Sequence, residues 1–171
     1  MDILWTPWRM PYIENPIPEE GCLFCNRLKL DDGPESLILV RSELAFVILN
    51  RYPYTNGHLM TVPVAHRASL EDLSAEEMAG LMTLTQRALV ALRKLYGADN
   101  FNVGANIGRA AGAGVAGHVH LHVVPRWPGD TNFMSALAHT RVVPEELETT
   151  YRRLKETWEG LDADAEQSGR G

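Results

Sequence analysis

Three histidines stand at alternate positions in the segment His118–Val124, which reads HVHLHVV. In a β-strand, His118, His120 and His122 share one face at intervals of about 6.8 Å, and the apolar residues between them face the core. Three imidazoles on one face are costly to bury without partners, so a purely structural role is disfavoured. Two functions remain: a three-histidine metal site, or nucleophilic catalysis in which one histidine attacks and its neighbours orient and protonate.

A glycine-rich loop, residues 108–117, comes directly before this segment and contains four glycines, Gly108, Gly112, Gly114 and Gly117. Such a loop can bring backbone N–H groups close to an anion. Attack on phosphorus needs preorganised donors around the phosphoryl oxygens. The loop and the histidines together therefore favour a reaction centred on a phosphate.

The two cysteines of the chain, Cys22 and Cys25, are three positions apart. Zinc takes four thiolate or imidazole ligands, and His66 with one histidine of the 118–124 segment would complete a Cys2His2 set. The alternatives are a redox C-x-x-C pair, which normally lies in a βαβ unit that is not evident here, and two unpaired buried thiols. A structural crosslink does not suit a reducing cytoplasm.

These residues need elements to position them. Short apolar runs between turns predict strands at 37–41, 45–49 and 58–62, and further strands at 101–107 and 118–124. The capping box Ser74–Glu77, followed by apolar residues at helical spacing as far as Gly97, predicts one long amphipathic helix. The pattern is that of an α+β fold: an antiparallel sheet of about five strands with the long helix packed across it.

The domain organisation follows from length and composition. At 171 residues and 45% hydrophobic, the chain has room for one packed core and not for two full domains. Residues 1–20, rich in proline and tryptophan, predict an extended arm, 21–143 the main domain, 144–158 a C-terminal helix, and 159–171 a disordered tail.

Charge and hydropathy exclude several classes of protein. The formal charge of -6 argues against a binder of nucleic-acid backbones. No run approaches the roughly 18 consecutive apolar residues of a membrane span, and the N-terminus lacks the regions of a signal peptide. We expect a soluble cytoplasmic protein with no membrane partner.

The chain resembles the histidine triad (HIT) superfamily, whose signature alternates three histidines with apolar residues as in His118–Val124. Segments elsewhere match the family in its order, and two more resemble its bacterial branch of diadenosine tetraphosphate phosphorylases and fragile-histidine-triad-like hydrolases. The first group is Phe46–Pro53, Gly57–Pro63 and Pro125–Trp127, and the second is Trp5–Met10 and Gly129–Met134. The resemblance implies the HIT-like fold and a homodimer whose sheet extends across both chains.

The same resemblance assigns roles to the catalytic histidines. His120 matches the histidine that attacks the α-phosphate and carries the nucleotide covalently, which requires a neutral ring at the attacking nitrogen. His122 matches the histidine that contacts the reacting phosphate, and His58 the histidine on the neighbouring strand that supports it. In relatives with zinc, the first triad histidine joins the metal, so the expected structural zinc ligands are Cys22, Cys25, His66 and His118.

The resemblance also implies nucleotide-binding residues. Asn50 matches the ribose-binding position, with a turn-stabilising asparagine as the alternative. Asn106 matches an amide that contacts phosphate. Gly112 and Gly114 replace the Gly-Gln-Ser or Gly-Gln-Thr found in many relatives, so backbone N–H groups carry more of the recognition here.

The function expected from the sequence is cleavage of dinucleoside polyphosphates, or related adenylylated compounds, through a nucleotidyl-His120 intermediate, with no organic cofactor. A different class of function stays open, in which the chain is a non-enzymatic sensor module that binds AMP or ATP. A metal-dependent hydrolase that uses all three histidines of the segment is the third alternative.

Overall fold

A five-stranded antiparallel sheet forms the centre of the molecule. The computed structural model describes residues 20–130 and 145–168. The strands in these ranges lie side by side in the order β1-β2-β3-β5-β4, each antiparallel to its neighbour. They are β1 (Ile38–Arg41), β2 (Ala45–Leu49), β3 (Leu59–Pro63), β4 (Asn100–Gly104) and β5 (Leu121–Arg126). The predicted α+β fold with about five strands is confirmed.

The described residues also form three α-helices, which are α1 (Leu23–Arg27), α2 (Ala75–Tyr96) and α3 (Leu147–Ser168). The predicted capping box starts α2, because the Ser74 hydroxyl accepts the Glu77 N–H at 3.2 Å and the Glu77 carboxylate accepts the Ser74 N–H at 2.7 Å. The helix ends at Gly97, whose φ of 59° lies in the left-handed region that glycine adopts without strain. The predicted long helix is confirmed at both ends.

The two faces of the sheet differ in whether helix α2 covers them. Helix α2 packs on β2, β3 and β5, while α3 packs on α2 and β1. The Thr61 and Thr85 hydroxyls lie 2.8 Å apart, so Thr61 of β3 faces α2. Because side chains alternate along a strand, Met60 points to the opposite face, where it pairs with His122 of β5. The histidines therefore lie on the face that α2 leaves uncovered.

The histidine segment His118–Val124 joins the sheet later than predicted. Strand β5 begins at Leu121, whereas the sequence predicted a strand from His118. The His118 N–H donates to the Val115 carbonyl and the Val119 N–H donates to the Arg67 carbonyl, so the backbone here bonds to loops and not to β3 or β4. The prediction that all three histidines lie on one strand is thus wrong, and His122 alone is within β5.

The preceding strand is also shorter than predicted. Strand β4 ends at Gly104, whereas the sequence predicted a strand over residues 101–107. Gly104 pairs with His122, and β5 extends only one residue further in that direction. A strand ends where no neighbouring strand is present to accept its hydrogen bonds. Asn106, beyond this end, therefore lies in a loop.

The C-terminal helix is longer than predicted. The expectation of a helix ending at residue 158 with a disordered tail is wrong for residues 159–168, which continue α3. Two acidic residues of this extension pair with basic residues of α2: Asp162 with Arg87, and Asp164 with Lys94 at 3.0 Å. Each exposed pair contributes little alone, but both hold the helix beside α2.

The predicted N-terminal arm, apart from residue 20, and most of the Gly129–Met134 segment lie outside the described residues. Among the residues that are described, no helix has the length and apolar character needed to cross a membrane.

Candidate active site and metal cluster

His120, the predicted nucleophile, is held as a neutral ring. Its side chain is 5% exposed, and burial lowers the pKa of the ring although a hydrogen bond to the backbone opposes the shift. Nδ1 lies 3.0 Å from the His118 carbonyl, which can only accept, so Nδ1 carries the proton. The lone pair of the neutral ring is therefore at Nε2, which is the arrangement that nucleophilic attack needs.

A series of hydrogen bonds fixes the tautomers of His58 and His122. The backbone N–H of Tyr54 donates to His58 Nδ1 at 3.1 Å, so the proton of the neutral His58 ring is on Nε2. His58 Nε2 lies 3.0 Å from His122 Nδ1 and donates to it. The proton of a neutral His122 is then on Nε2. His58 thus sets up its neighbour as a hydrogen-bond donor.

Two of the three predicted catalytic histidines line one cavity. This cavity has a volume of about 230 Å³ and is lined by both His120 and His122, whose ring centroids are 4.9 Å apart. His58 is fully buried behind them and does not line it. The structure therefore brings the predicted catalytic histidines together, two at the cavity and one in support.

The predicted nucleotide-binding residues line the same cavity: Asn50, Asn106, Gly112 and Gly114. The N–H of Gly112 donates to the Arg109 carbonyl at 3.0 Å, and the N–H of Ala113 donates to the Gly108 carbonyl at 3.3 Å. These two donors are used within the loop. The glycine loop was expected to supply N–H donors to a phosphate, but the N–H groups of Gly112 and Ala113 already donate within the loop.

Asn50 takes part in the turn that follows β2. Its Oδ1 accepts the Tyr52 N–H at 2.9 Å, and its Nδ2 lies 3.5 Å from His58 Nε2. The turn-stabilising interpretation of Asn50 is therefore seen directly. The same side chain lines the cavity, and ribose binding by Asn50 stays a prediction.

The four predicted metal ligands form one cluster on the far side of His118. The ligand atoms of Cys22, Cys25, His66 and His118 all lie within 4.8 Å of one another. Both cysteines are free thiols. His118 Nδ1 lies 3.3 Å from Cys22 Sγ and 3.7 Å from Cys25 Sγ, while His66 Nδ1 lies 3.3 Å from Cys25 Sγ. Ligands of a tetrahedral ion with bonds of 2.1 to 2.3 Å lie about 3.6 Å apart, so these distances fit one.

The orientation of His118 also fits a metal ligand. Its Nε2 donates to the Pro63 carbonyl at 2.9 Å, which leaves the lone pair of the neutral ring at Nδ1, towards the two sulfurs. Two thiolates and two imidazoles are a set that soft divalent ions prefer. The four residues can therefore hold a closed tetrahedral site that has no open position for catalysis.

The apolar part of the cavity was not predicted from the sequence. Leu23, Phe24 and Arg27 of α1 line it, together with Leu37, just before β1, and Ile48 of β2. The ring of Phe24 packs against His120, with centroids 4.9 Å apart. One clue was their position, since Leu23 and Phe24 stand between the two predicted metal ligands Cys22 and Cys25. The sequence of an apolar residue does not show which surface it covers, so this clue was not enough.

Comparisons with known proteins find one matching family model and several relatives of similar sequence. Residues 34–129 match the family model described as HIT domain. AP-4-A phosphorylase of Mycobacterium tuberculosis (strain ATCC 25618 / H37Rv) is 40% identical over 163 residues, 91% of this chain and 83% of the relative. Adenosine 5'-monophosphoramidase hnt1 of Schizosaccharomyces pombe (strain 972 / ATCC 24843) is 34% identical over 106 residues, 62% of this chain and 74% of the relative.

The fold agrees as well. A solved structure of a zinc-bound histidine triad family protein from Mycobacterium smegmatis superposes with a TM-score of 0.68 at 30% identity, covering 84% of this chain and 97% of that one.

The metal cluster yields a direct prediction. We expect the purified chain to contain one divalent metal ion per molecule, and Cys25→Ala to lose it, because three ligands do not close the tetrahedron. Elemental analysis of the protein after gel filtration measures this. His122→Ala is the matched control, since it removes a histidine outside the cluster and should keep the metal. Wild type with no stoichiometric metal would refute the site.

Proposed function

Because this chain belongs to the HIT domain family, we propose that it is an enzyme that cleaves dinucleoside polyphosphates, of the diadenosine tetraphosphate type, or related adenylylated compounds. The observation that carries the proposal is the pair of histidines at the cavity. His120 is buried with the lone pair of its ring at Nε2, and His122 beside it has its proton at Nε2 and can donate a hydrogen bond. The 40% identity with a named AP-4-A phosphorylase over most of both chains supports the substrate class.

In the proposed first step, His120 Nε2 attacks the α-phosphorus of the bound dinucleotide. A nitrogen–phosphorus bond forms, and the bond from that phosphorus to the bridging oxygen breaks. The remaining nucleoside polyphosphate leaves with the electron pair on its oxygen. As the ring becomes cationic, the bond from Nδ1 to the His118 carbonyl strengthens, which stabilises the adduct.

In the second step, an oxygen of phosphate or water attacks the same phosphorus, and the nitrogen–phosphorus bond breaks with its electron pair returning to His120. The acceptor oxygen loses its proton to the medium. With diadenosine tetraphosphate as substrate, ATP leaves in the first step. The second step then gives ADP when phosphate is the acceptor and AMP when water is.

We propose that His122 stabilises the charge on the phosphoryl oxygens through its Nε2–H. The donor is preorganised, because Tyr54 and His58 determine which nitrogen carries the proton before substrate arrives. Asn50 and Asn106 are assigned to the ribose and the phosphate, respectively, and their support is that both amides line the cavity. Gly112 and Gly114 are assigned to the phosphate chain, where the absence of side chains allows close approach.

The turnover assay tests the function. Purified protein is incubated with diadenosine tetraphosphate, with and without phosphate, and the products are separated. ADP and ATP that form only with phosphate indicate phosphorolysis, whereas AMP and ATP without phosphate indicate hydrolysis. His120→Ala should lower kcat by about 10⁴-fold while nucleotide binding persists, because the nucleophile alone is removed.

The result also separates this function from a non-enzymatic AMP or ATP sensor. A sensor binds nucleotide in wild type and in His120→Ala alike and turns over no substrate in either. Absence of turnover by wild type with every nucleotidyl substrate tested would overturn the proposed function.

We propose that the metal of the cluster is zinc and that its role is structural. Support comes from the Cys2His2 donor set and from the zinc-bound relative of known structure. Bound zinc would hold Cys22 and Cys25 against His118, and so tie α1 to the residue whose carbonyl orients His120. No step of the reaction needs the metal.

We also propose a homodimer whose sheet continues across both chains. Strand β4 is at the edge of the sheet and exposes Val103, and α2 exposes Met82 and Val90, so a second copy has both backbone groups and an apolar surface to bind.

Light scattering should give twice 19.1 kDa, the mass of one chain. Val103→Glu, which places a charge at the edge, should shift the population to monomer, whereas Leu30→Glu, which changes an exposed leucine before β1, should not. A wild type that is monomeric at micromolar concentration would contradict the dimer.

We propose a cytoplasmic location on the basis of the two free thiols. A metal-binding thiol pair persists in a reducing compartment and is oxidised outside it. A disulfide between Cys22 and Cys25 in protein isolated from its own cells would contradict this location.

A further inference from the structure

Arg51 is a cation at the cavity that no other described residue binds. It follows Asn50 in the turn after β2, lines the cavity and is exposed. No hydrogen bond or ion pair joins its guanidinium to a residue of the described ranges, whereas Arg27, the other arginine of the lining, donates to the Glu35 carbonyl at 3.2 Å. The lining contains no carboxylate among the residues that the structure describes. The five N–H donors of Arg51 are therefore available to an anionic ligand.

The turn that contains Arg51 is anchored to the residues that orient His122. On one side, the Asn50 N–H donates to the His58 carbonyl at 3.0 Å, and Asn50 Oδ1 accepts the N–H two residues further on at 2.9 Å. On the other side, the Tyr54 N–H donates to His58 Nδ1 at 3.1 Å, and His58 Nε2 lies 3.0 Å from His122 Nδ1. The backbone of Arg51 is therefore held between two points that are both bonded to His58.

Contacts between aromatic rings give the order of residues along the cavity. The centroids are 4.9 Å apart for Phe24 and His120, and 4.9 Å apart for His120 and His122. The Tyr54 ring follows, 6.1 Å from His122. The turn of Arg51 thus belongs to the side of the cavity that begins at His122, and α1 belongs to the side that begins at His120.

The cavity is too small for a whole dinucleoside polyphosphate. Its volume is about 230 Å³, whereas pockets that enclose drug-sized ligands measure about 300–1,000 Å³. A dinucleoside tetraphosphate is larger than such ligands, so with its reacting phosphorus at His120 the remainder extends through the mouth into solvent. This remainder carries most of the phosphates, and Arg51 is the exposed arginine of the lining.

The phosphates at the mouth need hydrogen-bond donors, and two groups of the glycine loop cannot supply them. The N–H groups of Gly112 and Ala113 donate to carbonyls of the same loop. A guanidinium presents a planar fork that fits two oxygens of a phosphate, and its positive charge strengthens both bonds. Arg51 combines this chemistry with a place beside the pair His58 and His122.

We propose that Arg51 binds the phosphates beyond the one that His120 attacks, and so selects substrates whose leaving group is a nucleoside polyphosphate. This inference rests on the proposed function, since it takes the ligand to be a nucleotide with its reacting phosphate at His120. The attacking and leaving groups are in line at phosphorus, so the leaving phosphates begin on the side away from His120. A leaving group without phosphate, such as the amine of a phosphoramidate, gains nothing from Arg51.

The test compares two nucleotides that differ only in the phosphates beyond the first. AMP and ATP are titrated by calorimetry into the full chain with His120→Ala, which excludes turnover, and into the same chain with Arg51→Gln added. We expect Arg51→Gln to lower the ATP affinity about 10-fold and to change the AMP affinity less than about twofold, because only ATP loses a charge-assisted bond. The effect on ATP should shrink as salt is raised, since Arg51 is exposed.

Two further variants and one rate complete the design. Arg51→Met should reproduce the pattern of Arg51→Gln, and thermal melting reports whether each variant folds. Arg152→Gln is the matched control, because it removes the charge of an exposed arginine on α3 that does not line the cavity, and it should change neither affinity. With His120 present, Arg51→Gln should lower kcat/KM for diadenosine tetraphosphate about 10-fold.

Equal weakening of AMP and ATP would overturn the inference, because Arg51 would then bind the nucleoside or the reacting phosphate. Unchanged ATP affinity in a folded Arg51 variant would overturn it as well, and so would an equal loss in Arg152→Gln. If AMP and ATP behave as expected but wild type turns over no substrate, the proposed function fails and the assignment of Arg51 stands. A chain that binds neither nucleotide would overturn both.

Discussion

A histidine attacks phosphorus only through a ring nitrogen that has a lone pair, and the hydrogen bond at the other nitrogen decides which one that is. In this chain the deciding bond runs from His120 Nδ1 to the carbonyl of His118, at 3.0 Å. The carbonyl is available because residues 118–120 precede β5 and are not part of it. The proposed reaction needs His120 with its proton on Nδ1, and the late start of β5 therefore allows the hydrogen bond that selects this tautomer.

The same short segment connects two sites. His118 offers its carbonyl to His120 on one side and its Nδ1 to the two sulfurs on the other. Phe24, between the two cysteines, packs against both His118 and His120, with ring centroids 5.4 and 4.9 Å away. A metal at the cluster would thus stabilise both the orientation of His120 and the α1 wall of the cavity.

Much of the site was predictable because it depends on local pattern. The bounds of β2 and the ends of α2 follow from apolar runs, a capping box and a terminal glycine. The four residues Cys22, Cys25, His66 and His118 were grouped by ligand chemistry and by resemblance to the family, and the structure brings them together.

Other features depend on contacts between distant residues and do not show in the sequence. Strand β5 starts late because Val119 bonds to Arg67 in another loop. Helix α3 runs to Ser168, and two of its acidic residues pair with basic residues of α2. The cavity wall of Leu23, Phe24 and Arg27 belongs to a five-residue helix too short for any periodic pattern to reveal.

The central claim is that hydrogen bonds fix the histidine tautomers before substrate binds. Nitrogen-15 NMR of histidine-labelled protein near neutral pH measures it, with single histidine variants to assign the rings. The account predicts a neutral His120 with its proton on Nδ1, and neutral His58 and His122 with their protons on Nε2. A proton on Nε2 of His120, or a cationic His120 ring in the free protein, would contradict it.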